Sequence, residues 1–154
     1  MSFLEDKLND LKHEDPERRA LATQALWKMW YQEAGESGEK EIHIGVALME
    51  SDNLLLAENH FLKMTETFPG FAEAQNKLAT VLYMLGKYHE AIICCRKVTT
   101  INPNHFGAWN GMGLCQFQLG HFDEAIVSFQ NALEIQPYAE GNAHYIARCR
   151  GNLN

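Results

Sequence analysis

The chain has 154 residues, about the length of one domain, with 46% hydrophobic residues, 21% charged residues and a formal net charge of −7. This composition is ordinary for a globular protein and argues against disordered and membrane-spanning classes. The negative balance and the absence of any Lys/Arg block argue against nucleic acid and anionic membranes as partners, because both require concentrated positive charge. We therefore expect no nucleic-acid binding and no membrane insertion.

Cysteine usage and the N-terminal stretch bear on the compartment. Cys94, Cys95, Cys115 and Cys149 lie inside apolar helical patterns and lack the paired spacings of a zinc site or a disulfide framework. The N-terminal stretch has no apolar run of signal-peptide length and too many acids for a transit peptide. We expect a soluble intracellular protein, cytoplasmic, or in a plastid or other organelle if a transit peptide is removed upstream of Met1.

Two helices are predicted at the N-terminus, over about residues 3–12 and 16–34, and residues 1–37 are grouped as an N-terminal helical cap. Asp15 and Pro16 mark the start of the second helix, since Asp is a good N-cap and proline is tolerated in the first turn.

The second helix carries more apolar surface than water tolerates, including Trp27 and Trp30. The first interpretation is that this surface packs on the first repeat, residues 38–71. The alternative is a homo-oligomer that associates through Trp27 and Trp30.

A period of 34 residues organises the rest of the chain. It links the prolines that close helical runs, Pro69, Pro103 and Pro137. It also links small residues where two helices must cross at close range, Gly45, Ala79 and Gly113. Each unit therefore reads as two antiparallel helices. The predicted division is repeat 1 at 38–71, repeat 2 at 72–105, repeat 3 at 106–139 and a C-terminal capping helix at 140–154.

The third unit resembles the tetratricopeptide-repeat (TPR) signature. The resemblance rests on Trp109-Asn110-Gly111-Met112-Gly113, Leu119-Gly120-His121-Phe122-Asp123-Glu124-Ala125, Phe129 and Pro137. The second unit departs from it at Gln75, where the family has a large aromatic. The resemblance implies an all-α, right-handed superhelical TPR solenoid of antiparallel helix pairs, an α-α superhelix.

A narrower resemblance concerns three short runs. Ala25-Leu26-Trp27, Asn76-Lys77 and His105-Phe106-Gly107-Ala108 are similar to small TPR proteins of bacteria and plastids. This likeness implies no particular activity.

We find no nucleophile, acid/base pair or metal-ligand set worth assigning, and predict no enzyme activity, no cofactor and no metal. Gly107 and Gly111 fall inside a predicted helix, where each costs about 1 kcal/mol relative to alanine. Their position indicates that something approaches that helix closely.

In TPR arrays the first helix of each pair lines the concave surface, so the resemblance assigns candidate partner-binding residues. These are Ile42, Val46, Met49, Glu73, Asn76, Lys77, Thr80, Tyr83, Gly107, Asn110, Gly111, Leu114, Phe117, His144, Tyr145 and Arg148. We expect a helix or extended peptide of another protein to lie between Asn76/Lys77 and Asn110/Gly111.

Co-chaperone TPR domains hold acidic chaperone tails with a clamp of cationic and amide side chains. The aligned positions here are Ile42, Val46, Lys77, Gly107 and Gly111, of which one is cationic. We conclude that this clamp is absent. The predicted function is a protein–protein interaction scaffold or adaptor, as an assembly factor or a regulatory subunit; the alternative is a self-associating structural protein, with a co-chaperone less favoured.

Overall fold

The computed structural model describes residues 1–154 and contains nine α-helices and no strand. The helices are α1 Phe3–Asp10, α2 Pro16–Tyr31, α3 Gly35–Glu50, α4 Leu54–Thr67, α5 Ala72–Met84, α6 Tyr88–Ile101, α7 Phe106–Gln118, α8 Phe122–Ile135 and α9 Glu140–Leu153. The predicted all-α class is confirmed. None of these helices is both long enough and apolar enough to cross a membrane.

Helix starts at the N-terminus follow capping chemistry. Ser2 and Glu5 form a reciprocal capping box at α1, and the Asp15 side chain accepts the backbone N–H of Glu17 at α2. Both helices end earlier than the sequence predicted, at Asp10 and Tyr31. The predicted limits were therefore two to three residues too long, which is ordinary at frayed helix ends.

Turns between paired helices use a left-handed residue at one position of the 34-residue frame. Gly86 and Gly120 take φ of 76° after α5 and α7, which only glycine adopts without strain. The first hairpin has Asp52 at this position with φ of 61°, the one non-glycine residue with positive φ. The frame therefore holds even where the glycine is missing.

Six helices form three consecutive hairpins, α3–α4, α5–α6 and α7–α8, and α9 packs on α8. The main core lies between them and is centred on α5, which buries eight of its 13 residues. Within the hairpins a glycine of the first helix meets a fully buried phenylalanine of the second, Gly45 with Phe61 and Gly113 with Phe129. The small residues thus set the helix spacing, as the period predicts.

Helix α2 contacts the first hairpin, where the Tyr31 and His43 rings lie 5.6 Å apart, but its buried aromatic surface also packs beyond that hairpin. Trp30 is 2% exposed and lies 5.1 Å from the Phe106 ring at the start of α7. Farther up α2, the Arg19 guanidinium lies 3.9 Å from the Tyr138 ring. The helix therefore reaches from the first hairpin to the third, and Trp30 is not exposed as a self-association face.

A matched pair of substitutions on α7 tests the close crossing. A Cβ at Gly113 would lie 2.8 Å from the Phe129 ring, whereas one at Gly111 meets only the Cys95 sulfur at 3.7 Å. We expect Gly113→Ala to lower the free energy of unfolding by about 1–2 kcal/mol through overpacking, and Gly111→Ala to leave it unchanged or raise it by up to about 1 kcal/mol. Urea denaturation measures both. Equal effects would contradict glycine-controlled helix spacing.

Candidate functional site

Seven of the predicted site residues line a cavity of about 330 Å³ between α5 and α7. We call it the α5–α7 cavity. It is lined by Asn76, Ala79, Thr80, Tyr83, Met84, Cys95, Gly107, Asn110, Gly111 and Leu114. Sequence reasoning did not assign Ala79, Met84 or Cys95 to this surface. The last of these comes from α6, behind the two helices that the repeat frame considered.

The wall at Gly111 is smooth and apolar. A Cβ there would lie 3.7 Å from the Cys95 sulfur, an ordinary contact, so the space beside this glycine is open. Burial raises the pKa of the Cys95 thiol well above its usual range and that of Cys115 to about 12. Both thiols therefore stay protonated, and Cys95 forms part of the apolar wall rather than acting as a nucleophile.

Gly107 is small for a different reason, because the indole of Trp27 lies against it. A Cβ at Gly107 would come within 2.8 Å of the Trp27 ring and 3.1 Å of the His105 ring. The group that approaches this part of α7 is thus a side chain of α2. An external partner would meet Gly107 only beside Trp27.

Lys77 is held over the same aromatic residues. Its ammonium lies 5.0 Å from the Trp27 ring and 5.1 Å from the Tyr31 ring, the geometry of a cation–π contact. It forms no ion pair with a carboxylate. Its charge therefore stays unneutralised next to the α5–α7 cavity.

Glu73, which the sequence assigned to partner binding, is fully buried instead. Its Oε1 accepts hydrogen bonds from Asn76 Nδ2 at 2.9 Å and from His105 Nε2 at 3.0 Å. Because His105 Nδ1 accepts the Ala108 backbone N–H, the ring carries its proton on Nε2. Trp30 stacks on this imidazole at 4.4 Å. Glu73 is therefore structural, and it links α5 to α7 beneath α2.

The opposite end of the predicted surface is aromatic. The Arg148 guanidinium lies 4.7 Å from the Phe117 ring and 5.3 Å from the Tyr145 ring. The Asn110 amide donates to Asn142 Oδ1 at 2.9 Å, so α7 and α9 are tied together here. The exposed His144 ring lies 5.8 Å from the ring of Tyr145.

The first hairpin contributes nothing to the cavity. Ile42 is fully buried in the main core, and Val46 and Met49 are partly buried against it. The prediction that Ile42 contacts a partner was wrong, because the helix turns this residue inward. The exposed His43 next to it does not line the cavity either, and its ring lies 5.6 Å from that of Tyr31.

No group of three or more His, Cys, Asp or Glu side chains is arranged to hold a metal ion.

Helix hairpins repeated in a 34-residue frame, with small residues at the crossings, define a tetratricopeptide-repeat protein. The sequence of residues 49–132, more than half of the chain, matches the family model described as anaphase-promoting complex, cyclosome, subunit 3. The chain belongs to this family. No curated protein matched it in sequence.

Solved TPR domains share the fold at low sequence identity. The first TPR of Spaghetti (RPAP3), bound to an HSP90 peptide, has 18% identity and a TM-score of 0.72, covering 73% of this chain and 90% of its own. The Arabidopsis OM64 TPR domain has 20% identity and a TM-score of 0.71, covering 73% and 93%. The TPR2B domain of yeast Sti1, in complex with an Hsp70 peptide, has 19% identity and a TM-score of 0.65, covering 74% and 93%. The predicted TPR solenoid is confirmed.

The carboxyl group of Glu33, just after α2, lies close enough to Glu73 and His105 for their charges to affect its pKa. Desolvation and the Glu73 carboxylate raise the pKa of Glu33, while His105 opposes the shift. A raised pKa means that ionisation of Glu33 is less favourable in the folded than in the unfolded chain. Stability therefore falls as the pH rises above the usual glutamate value of 4.5 through the folded-state value.

We expect Glu33→Gln, which cannot ionise, to be more stable than the native chain at pH 7, by less than about 1 kcal/mol because the side chain is exposed. The difference should vanish below the unfolded pKa. Urea denaturation at pH 7 and pH 3.5 measures it, with the exposed loop substitution Glu14→Gln as control. A gain of equal size at both pH values would contradict the assignment to the charge of Glu33.

Proposed function

We propose that this chain is a non-enzymatic protein-interaction module that binds a helix or an extended segment of a partner protein in the α5–α7 cavity. The observation that carries the proposal is the open wall at Gly111. A helix tolerates glycine there at a cost of about 1 kcal/mol, and no side chain of this chain fills the space. A partner backbone or side chain can therefore approach α7 closely.

The lining suits a peptide. Tyr83, Met84 and Leu114 supply apolar surface, while Thr80 and Asn110 supply hydrogen-bonding groups at its edge. Recognition sites combine such apolar walls with a few placed polar groups. This lining suits a partner segment that has one apolar anchoring side chain and backbone amides free to form hydrogen bonds.

An acidic chaperone tail fits this lining less well. The RPAP3 and Sti1 domains were solved with HSP90 and Hsp70 peptides, but the resemblance to them concerns the fold alone. At the positions aligned with the clamp, Ile42 is buried, and Gly107 and Gly111 have no side chain to offer. Lys77 alone would meet a carboxylate, which favours a partner other than a chaperone tail.

The role that we infer is that of an assembly factor or a regulatory subunit. TPR domains with known structure serve as interaction modules, and the thiol nearest the cavity, Cys95, is held protonated. Self-association is the second candidate, but burial of Trp30 removes the surface on which it was based.

Affinity capture followed by mass spectrometry tests the site. Gly111→Leu fills the open wall, and Lys77→Glu reverses the nearby charge. We expect both variants, folded by circular dichroism, to lose the protein that the native chain retains, by at least about tenfold in yield, as loss of a well-buried contact produces.

Gly151→Leu is the matched control, since it makes the same change in α9 at a glycine with no heavy atom nearby and outside the cavity lining. It should retain the partner. Full retention by Gly111→Leu would show that binding occurs elsewhere. Sedimentation at several concentrations separates a foreign partner from a second copy of this chain.

A further inference from the structure

A second cavity, of about 450 Å³, lies between α4 and α6, over a side of α5 that does not face the α5–α7 cavity. We call it the α4–α6 cavity. Its apolar residues are Leu62, Leu78, Leu82, Ile93 and Cys94. Leu62 and Ile93, on the two flanking helices, are 47% and 55% exposed, so apolar surface remains in water around the opening.

The repeat frame explains why this space exists. Gln75 lines it, and the residue 34 positions later is Trp109. Trp109 packs its ring against the main core and donates its indole N–H to the Pro103 carbonyl at 2.8 Å. The second repeat lacks this indole. A shorter amide stands in its place, and the volume beside the amide is unfilled.

An unsatisfied acceptor lies in the same place. The Gln75 Oε1 atom is buried and has no hydrogen-bond partner. Buried polar atoms are nearly always paired, and Gln75 also lines the cavity, so a rotation of its amide lets this oxygen accept from a donor that enters there. An apolar ring that carries one N–H group meets both requirements.

The charges around the opening are uneven. At one end, Lys87 is neutralised by Glu58 at 2.9 Å, and a second carboxylate, Glu90, lies near the same ammonium and also lines the cavity. At the other, Lys97 has no ion pair and lines both this cavity and the adjoining groove along α6. Arg96, in that groove, only approaches Glu124 at 3.9 Å, with both side chains exposed. This end is therefore complementary to a carboxylate.

We propose that the α4–α6 cavity binds a tryptophan side chain presented by a segment of another protein. The indole fills the space over Leu78 and Leu82, and the Gln75 amide rotates so that its Oε1 accepts the indole N–H. An acidic residue next to that tryptophan pairs with Lys97.

A second copy of this chain cannot supply the side chain, because its three tryptophans are all used internally. Trp30 is buried, Trp27 lies against Gly107, and Trp109 is bonded to Pro103. The occupant is therefore a different protein. This site is independent of the α5–α7 cavity.

The probe is the dipeptide N-acetyl-Asp-Trp-amide, titrated into the full chain and followed by NMR of the Gln75 side-chain amide and the Leu78, Leu82 and Ile93 methyl groups. N-acetyl-Asp-Leu-amide is the matched control ligand. We expect saturable shifts at these four residues with the tryptophan probe and an affinity at least about tenfold weaker with the leucine probe.

Two substitutions separate the parts of the site. Gln75→Leu keeps the volume and removes the acceptor, so it should weaken the tryptophan probe about tenfold and leave the leucine probe unchanged. Gln75→Trp fills the cavity with an indole of the chain itself and should abolish binding of the probe. If Gln75→Trp fails to fold, Gln75→Leu still decides the question.

Three results would overturn the proposal. They are equal affinity for both probes, no saturable shift at millimolar probe, and shifts confined to the α5–α7 cavity. Gly111→Leu should bind the probe as the native chain does. A failure of the tryptophan site is therefore distinguishable from a failure of partner binding in the α5–α7 cavity.

Discussion

The stacked rings of Trp30 and His105 fix the geometry on which the predicted binding surface depends. The imidazole is held from below by Glu73 and by the Ala108 backbone, so its plane cannot turn away from the indole. This contact sets α2 across α5 and α7. The position of α2 in turn brings Trp27 against Gly107, which closes that part of the α7 surface. The buried pair of Glu73 and His105 therefore determines how much of the α7 surface remains open beside the α5–α7 cavity.

Both cavities arise where one repeat has a smaller side chain than its neighbour. Gly111 has no side chain to cover α7, and Gln75 is too short to fill the space that the Trp109 indole occupies in the third repeat. A repeat frame imposes the same backbone at each unit, so a change of side chain alters volume without altering the path of the chain. Binding sites can therefore arise at single positions while the solenoid stays constant.

Much of the fold could be predicted from the sequence, since the 34-residue step depends on local rules of helix crossing and turns. The pairing of Gly113 with Phe129 and the left-handed turn at Gly120 follow from it. The site was less predictable. The frame shows which helix face a residue occupies but not what covers it, so the burial of Ile42 and Glu73 was missed. The position of α2 depends on contacts more than 70 residues apart, such as Trp30 with His105, for which no repeat exists.

Three cations, Lys77, Lys97 and Arg148, have no carboxylate partner on a chain whose net charge is −7. Lys77 and Arg148 lie on aromatic rings, which attract a cation through their quadrupole but do not neutralise it. Lys97 has no ion pair at all. An ion pair with a carboxylate of this chain would have neutralised each of these positive charges. Because the chain carries a net negative charge, isolated positive side chains orient an incoming segment and disfavour wrongly charged ones, which contributes more to specificity than to affinity.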